Sequence, residues 1–90
     1  MNITRKHDKS QSDIRIQLQR VADSMARDLN VKYEWKGADV LRFKGTGISG
    51  SILLDEAGQQ LEIDLQKSFF LPISDEALRN KVNAYLDEQL

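Results

Sequence analysis

The sequence contains no cysteine, one histidine and one proline. Small secreted domains usually depend on disulfides, so a 90-residue chain without cysteine fits a reducing compartment. The absence of cysteine and the lone histidine also remove the residue types that build most zinc sites. We therefore expect a cytoplasmic protein that holds neither a metal nor a cofactor.

Long apolar runs and a strong net charge are missing as well. No apolar run approaches the ~20 residues of a membrane span, and the first residues lack the apolar core of a signal peptide. Thirteen basic and fourteen acidic residues give a net charge of −1. Nucleic-acid binding needs a basic face. The local basic spots, Arg5-Lys6-His7 and Lys36, Arg42, Lys44, are matched by acidic residues elsewhere, so we expect neither a membrane span nor a nucleic-acid partner.

The length and composition that remain are those of one small globular domain covering residues 1–90. Apolar residues make up 40% of the chain and charged residues 30%, which is typical of a folded protein. A domain of this size buries roughly 60–65% of the surface that its unfolded chain exposes. Such a domain has one thin core and at most a small cleft.

The hydrophobic pattern predicts an α+β fold in two layers. Residues 2–7 read as a short strand and residues ~10–29 as an amphipathic helix capped by Asp8 or Ser10, with Arg15, Gln19, Asp23 and Arg27 mostly on its solvent side. From Val31 to about residue 66 the period is two, which predicts four strands joined by short turns. Residues ~74–88 form a second helix. The order β-α-β-β-β-β-α predicts a curved antiparallel sheet packed on two helices, in a helix-grip or TBP-like arrangement.

Two sequence features suggest chemistry but have simpler structural interpretations. Residues 45–50 match the dinucleotide-binding pattern G-x-G-x-x-G, yet strand residues follow where that motif requires a helix, so we predict a hairpin turn followed by a glycine bulge or bend in a curved sheet. Arg5 and His7 would share one face of the first strand. No serine or carboxylate stands out as their partner, so we interpret them as a structural or polar-ligand pair. The sequence identifies no catalytic residue, and we expect no enzyme.

Apolar residues in unexpected places suggest binding surfaces. Phe69-Phe70-Leu71-Pro72-Ile73 is an apolar run within a connection, where polar residues are expected. Some of these side chains can fill the end of the core between sheet and helix. Because neighbouring side chains of an extended stretch point to opposite sides, we expect Phe69, Phe70 and Leu71 also to include a contact for a partner, a granule surface or a second copy in a homodimer. Tyr33 and Trp35 are candidates for the core or for the lining of a cleft.

Motifs along nearly the whole chain carry a family resemblance. They are Ile3-x-Arg5-x-His7, Tyr33-x-Trp35-x-Gly37, Leu41-x-Phe43, Gly47-x-x-Gly50, Leu61-x-Ile63 and Leu86-Asp87. In this order and spacing the sequence resembles the polyhydroxyalkanoic acid system family, small bacterial proteins encoded with the machinery that makes storage-polyester granules. The resemblance implies a cytoplasmic, granule-associated accessory protein whose partner is the granule or one of its proteins, and it implies no defined reaction. The alternative is a small carrier that holds an apolar or acyl ligand between the sheet and the C-terminal helix.

Overall fold

The computed structural model describes residues 1–68 and 71–90. The elements of this part of the chain follow the predicted order: β1 (Asn2–Lys6), α1 (Gln11–Leu29), β2 (Val31–Lys36), β3 (Val40–Gly45), β4 (Ile48–Asp55), β5 (Gln60–Lys67) and α2 (Asp75–Gln89). Both helices begin one residue later than predicted. The predicted α+β class is confirmed.

Helix α1 begins and ends at residues suited to those positions. The side-chain Oγ of Ser10 accepts a hydrogen bond from the Asp13 backbone N–H at 3.2 Å, so Ser10, rather than Asp8, is the N-cap. Such a cap satisfies one of the backbone donors that the start of a helix leaves free. Asn30 ends the helix in the left-handed conformation, with φ of 55°. Between the two ends, the apolar stripe is buried at Ile14, Leu18, Val21, Ala22 and Met25.

The five strands form one antiparallel sheet in the order β1-β5-β4-β3-β2. Strands β2 to β5 form the predicted meander. Strand β1 comes first in the chain but pairs with β5, where Ile3 lies opposite Ile63. Helix α1 therefore carries the chain from one edge of the sheet to the other. The sheet does not close into a barrel, and β1 and β2 form its edges.

Both helices contribute to a core on one face of the sheet. Alternate strand residues such as Leu41, Ile52 and Leu61 are fully buried there with the α2 residues Leu78 and Val82. The remaining strand residues point to the opposite side of the sheet, called the outer face below, where most are exposed. The apolar exceptions in the alternation, Val40 and Leu53, lie opposite each other in register on this outer face.

Helices α1 and α2 are joined by a hydrogen bond at the margin of the core. The Tyr85 hydroxyl donates to Asp28 Oδ2 at 2.9 Å. Burial, and then this hydrogen bond, raise the pKa of Tyr85 above its ordinary value. The hydrogen bond from Tyr85, followed by that from Arg27, lowers the pKa of the Asp28 carboxyl. The pair therefore favours the ionised carboxylate in the folded protein.

The glycine-rich segment begins with a hairpin turn, as predicted, but the register of β4 is continuous through Gly50 with both neighbouring strands, so no bulge forms there. Gly47 has a φ of 80°, a left-handed conformation that glycine adopts without a steric penalty. Strand β4 begins at the next residue, so the helix that a dinucleotide motif requires does not form. Gly50 lies inside β4 opposite Leu65. A Cβ added at Gly50 would lie 2.1 Å from the backbone oxygen of Asp64, so this position of the sheet has no room for a side chain.

Candidate functional site

Arg5 and His7 lie at the end of β1, close to the end of α2. The Arg5 guanidinium forms an ion pair with Asp87. The Lys9 backbone N–H donates to His7 Nδ1 at 3.1 Å, and the His7 backbone N–H donates to the Gln59 carbonyl at 3.0 Å. These contacts connect β1, the residues before α1, and α2. The contacts of Arg5 and His7 therefore hold neighbouring segments of the fold together. That neither residue has a catalytic role stays a prediction.

Tyr33 and Trp35 lie half-buried between β2 and α1. The Trp35 Nε1–H donates to Gln19 Oε1 at 2.9 Å, and the Tyr33 hydroxyl donates to Asp23. The Arg15 guanidinium lies 3.9 Å from the centroid of the Trp35 ring, in a cation–π contact. The sequence placed these three α1 residues on the solvent side of the helix. None of the three is buried, and Asp23 is exposed, but Arg15 and Gln19 are half-buried because edge strand β2 lies alongside this stripe and its aromatic side chains contact it.

The layer between sheet and helices is densely filled. Its side chains have exposed fractions close to zero, as for Ile14 and Leu41 at 0% and Leu65 at 1%. Tyr33 and Trp35 join the margin of this cluster as partly buried residues. The layer that a carrier would use for an apolar ligand is thus occupied by the protein's own side chains.

The connection between β5 and α2 contains the apolar run that the sequence analysis identified. Leu71 and Ile73 are half-buried and pack against the core cluster, whereas Pro72 is exposed. The Ser68 backbone N–H donates to the Gly47 carbonyl at 2.7 Å, which holds the start of the connection against the β3–β4 turn. Phe69 and Phe70 lie outside the described residues. The partner, granule or homodimer contact assigned to Phe69, Phe70 and Leu71 therefore stays a prediction.

The outer face of the sheet carries an open groove of about 780 Å³. The floor runs along β4, where Ser49, Gly50 and Ser51 supply only small groups. Side chains of β2 and β3 form one wall, and the β5 residues Asp64 and Gln66 form the other. Neither α1 nor α2 covers this face, so within the described part of the chain the groove is accessible along its length.

Charge is unevenly distributed in this groove. Four of the thirteen basic residues of the chain line it, namely Lys32, Lys36, Arg42 and Lys44, but only two of the fourteen acidic ones, Glu34 and Asp64. The lining therefore has a formal charge of +2 on a chain whose net charge is −1. Lys36 Nζ lies 3.0 Å from Glu34 Oε1 in an ion pair.

Lys36, Arg42 and Lys44 are recognisable in the sequence as a basic spot. They did not predict a binding site there, because acidic residues elsewhere bring the net charge of the chain close to zero. The net charge of a chain does not report where charges lie. The signal was present in the alternation, because these cations alternate with apolar residues in both strands. If the apolar residues of β2 and β3 both face the core, the cations share the opposite face of the sheet. Lys32, at the start of β2, belongs to the same group.

Comparison with known proteins identifies a family. A family model described as "putative polyhydroxyalkanoic acid system protein" matches residues 1–90. No curated protein and no solved structure matches the chain. Within residues 1–68 and 71–90, no helix is long and apolar enough to cross a membrane, and no group of three or more acidic or histidine side chains is placed to hold a metal ion.

Proposed function

Because the chain belongs to the polyhydroxyalkanoic acid system family, we propose that it is a non-enzymatic accessory protein of the storage-granule system that acts by binding a protein of that pathway at the granule. The match covers the whole chain, so family membership does not depend on one motif. The observation that supports binding is the open groove on the outer face of the sheet. An accessible groove of about 780 Å³ lined by charged side chains suits a polar macromolecular partner.

The groove is unsuited to enclosing a small substrate. Enzyme and cofactor pockets bury most of the ligand surface and have a mainly apolar lining. This groove is open along its length, and its walls carry charged side chains such as Arg42 and Asp64. These properties support binding rather than a reaction.

The filled layer between sheet and helices speaks against the alternative function of a carrier. A bound acyl chain would have to displace side chains such as Leu41 and Ile52, both at 0% exposure. Core side chains are close-packed, and emptying such a site costs several kcal/mol per large side chain. The accessory function requires no such rearrangement.

A contact with the granule surface or with a second copy, through Phe69, Phe70 and Leu71, is the second part of the proposal. It rests on the apolar run in the sequence. Covering an exposed phenylalanine is worth roughly 1.5–3 kcal/mol, so one such residue is enough to affect association. In this proposal the apolar run contacts the granule or a second copy and the groove contacts the pathway protein.

Fractionation of polyester-accumulating cells tests the proposed function. We expect the tagged protein to move with the granules in a density gradient and to remain with the other cellular proteins when no polymer is made. Purified granules stripped of protein by protease should bind less of it than untreated granules, because the main partner is a protein. A tagged chain that distributes identically with and without polymer would contradict the proposal.

Serine substitutions separate the two contacts. Phe69→Ser, Phe70→Ser and Leu71→Ser should each be compared with the parent on stripped and untreated granules, with circular dichroism as the folding control. We expect at least one folded variant to lose binding to stripped granules and to keep part of its binding to untreated ones. Unchanged binding by all folded variants would contradict the role of this segment.

A further inference from the structure

We propose that the groove on the outer face is a docking site for an acidic segment of polypeptide, read mainly by Lys32, Arg42 and Lys44. This inference deepens the proposed function, on which it rests, because it states the chemistry of the partner. Three observations support it: the unpaired charges, the register of strands β2 and β3, and the shape of the groove.

The first observation is that these three cations have no partner in the described part of the chain. Arg5, Arg27, Lys36 and Lys67 each form an ion pair. The side chains of Lys32, Arg42 and Lys44 form neither an ion pair nor a hydrogen bond with any residue of 1–68 or 71–90. Their charges are therefore available to a ligand, and an arginine among them can hold a carboxylate by two parallel hydrogen bonds.

The second observation is the register of the β2–β3 hairpin. Lys32 lies directly opposite Lys44, and both side chains are exposed on the outer face. Directly opposed like charges destabilise a pair of strands. Arg42 lies one pleat farther along β3, opposite Glu34, whose carboxylate is already paired with Lys36. The sheet thus concentrates positive charge, and the repulsion between these charges lowers its stability. A bound anionic ligand would remove that repulsion.

The third observation is the shape and chemistry of the groove. Four strands, β2 to β5, span roughly 15 Å, so an extended segment of about six residues crosses the groove. The small floor residues Ser49, Gly50 and Ser51 allow a backbone to approach closely. Glu34 and Asp64 at the margins can accept hydrogen bonds from that backbone, which favours a polypeptide over an anion without donors.

Aromatic side chains decide between a polypeptide and a single-stranded nucleic acid. Proteins that bind single strands on a sheet stack bases on exposed aromatic rings. The aromatic residues of these strands are Tyr33, Trp35 and Phe43, and their positions point toward the face of the sheet that packs on the core. Tyr33 and Phe43 border the groove, but Phe43 is only 4% exposed and Tyr33 is half-buried, with its hydroxyl bonded to Asp23 of α1. Neither ring is freely exposed for a base to stack on, so the groove favours an acidic polypeptide.

Fluorescence anisotropy with a defined probe tests the inference. The probe is a labelled peptide of about ten residues in which glutamate alternates with serine, and the matched peptide with lysine in place of glutamate is the negative control. We expect saturable binding of the acidic peptide that weakens as salt approaches about 0.15 M, because exposed charges are screened there. Lys44→Glu should weaken binding about fivefold, and the double variant Lys32→Glu/Lys44→Glu about twentyfold.

Arg20→Glu is the matched control, because Arg20 is exposed on α1 in the opposite layer and the substitution changes the net charge equally. It should leave binding within twofold, whereas a loss equal to that of Lys44→Glu would show a general charge effect and overturn the inference. Stronger binding of a single-stranded oligonucleotide or of vesicles containing anionic lipid than of the acidic peptide would overturn it too. The test uses purified protein and is therefore independent of the fractionation experiment. Loss of peptide binding with intact granule association would contradict only this inference, and peptide binding without granule association would contradict only the proposed function.

Discussion

Replacing Gly50 by alanine tests the packing of the sheet beneath the groove. The added Cβ would lie 2.1 Å from the Asp64 backbone oxygen and 2.9 Å from Phe43 Cζ. Real Cβ atoms essentially never approach closer than 3.0 Å, so the oxygen must move by about 1 Å. That oxygen belongs to β5, which is paired with β4 along its whole length. The chain can therefore make room only by separating the two strands locally.

The expected loss is about 1–4 kcal/mol in the free energy of unfolding. Overpacking a well-packed site costs typically 1–3 kcal/mol, and each weakened ladder hydrogen bond adds about 0.5–1.5 kcal/mol. Alanine gives the unfolded chain less conformational entropy than glycine does, which offsets only about 0.4–1 kcal/mol of this loss. Because 1 kcal/mol shifts the melting temperature of a domain this size by roughly 4–8 °C, Gly50→Ala should melt at least about 4 °C lower.

Urea unfolding followed by circular dichroism measures the loss, with two comparisons. Gly37→Ala is the control, because Gly37 has φ of 74° and no atom within 4 Å of an added Cβ, so only backbone strain of about 1 kcal/mol applies. The double variant Gly50→Ala/Phe43→Leu removes the ring but not the Asp64 oxygen. A loss below 1 kcal/mol for Gly50→Ala, or full recovery in the double variant, would refute the backbone clash.

Two further predictions concern charge. Lys44→Glu should raise the free energy of unfolding by about 0.2–1 kcal/mol while weakening peptide binding, because it converts the like-charge pair with Lys32 into an opposite-charge pair; equal or lower stability in urea would count against that register. Tyr85→Phe should lose stability at neutral pH, and the difference from the parent should shrink as pH falls below about 4. The lowered pKa of Asp28 supplies stability above the ordinary carboxyl pKa that is lost on acidification, so a difference independent of pH between 7 and 3 would contradict this coupling.

Local periodicity was sufficient to predict the elements of this protein. Alternation from Val31 onward and helical spacing between Ile14 and Met25 depend on near neighbours in the chain, and those patterns survive in the structure. The choice of N-cap needed the structure, because Asp8 and Ser10 are both good caps in isolation. The turn at residues 45–50 was also predictable, since the strand pattern after Gly50 left no helix for a phosphate-binding motif.

Contacts between distant residues were decided by the tertiary structure. The contacts of Arg15, Gln19 and Asp23 with Tyr33 and Trp35 could not be predicted, because helical spacing does not show that edge strand β2 lies beside this side of α1. Likewise, the groove exists because register places Lys32 opposite Lys44 and aligns Ser51 with Asp64 across the sheet. A sequence determines which residues share a face of one strand. The pairing of strands, which follows from the shared burial of their other faces, determines which charges meet across the sheet.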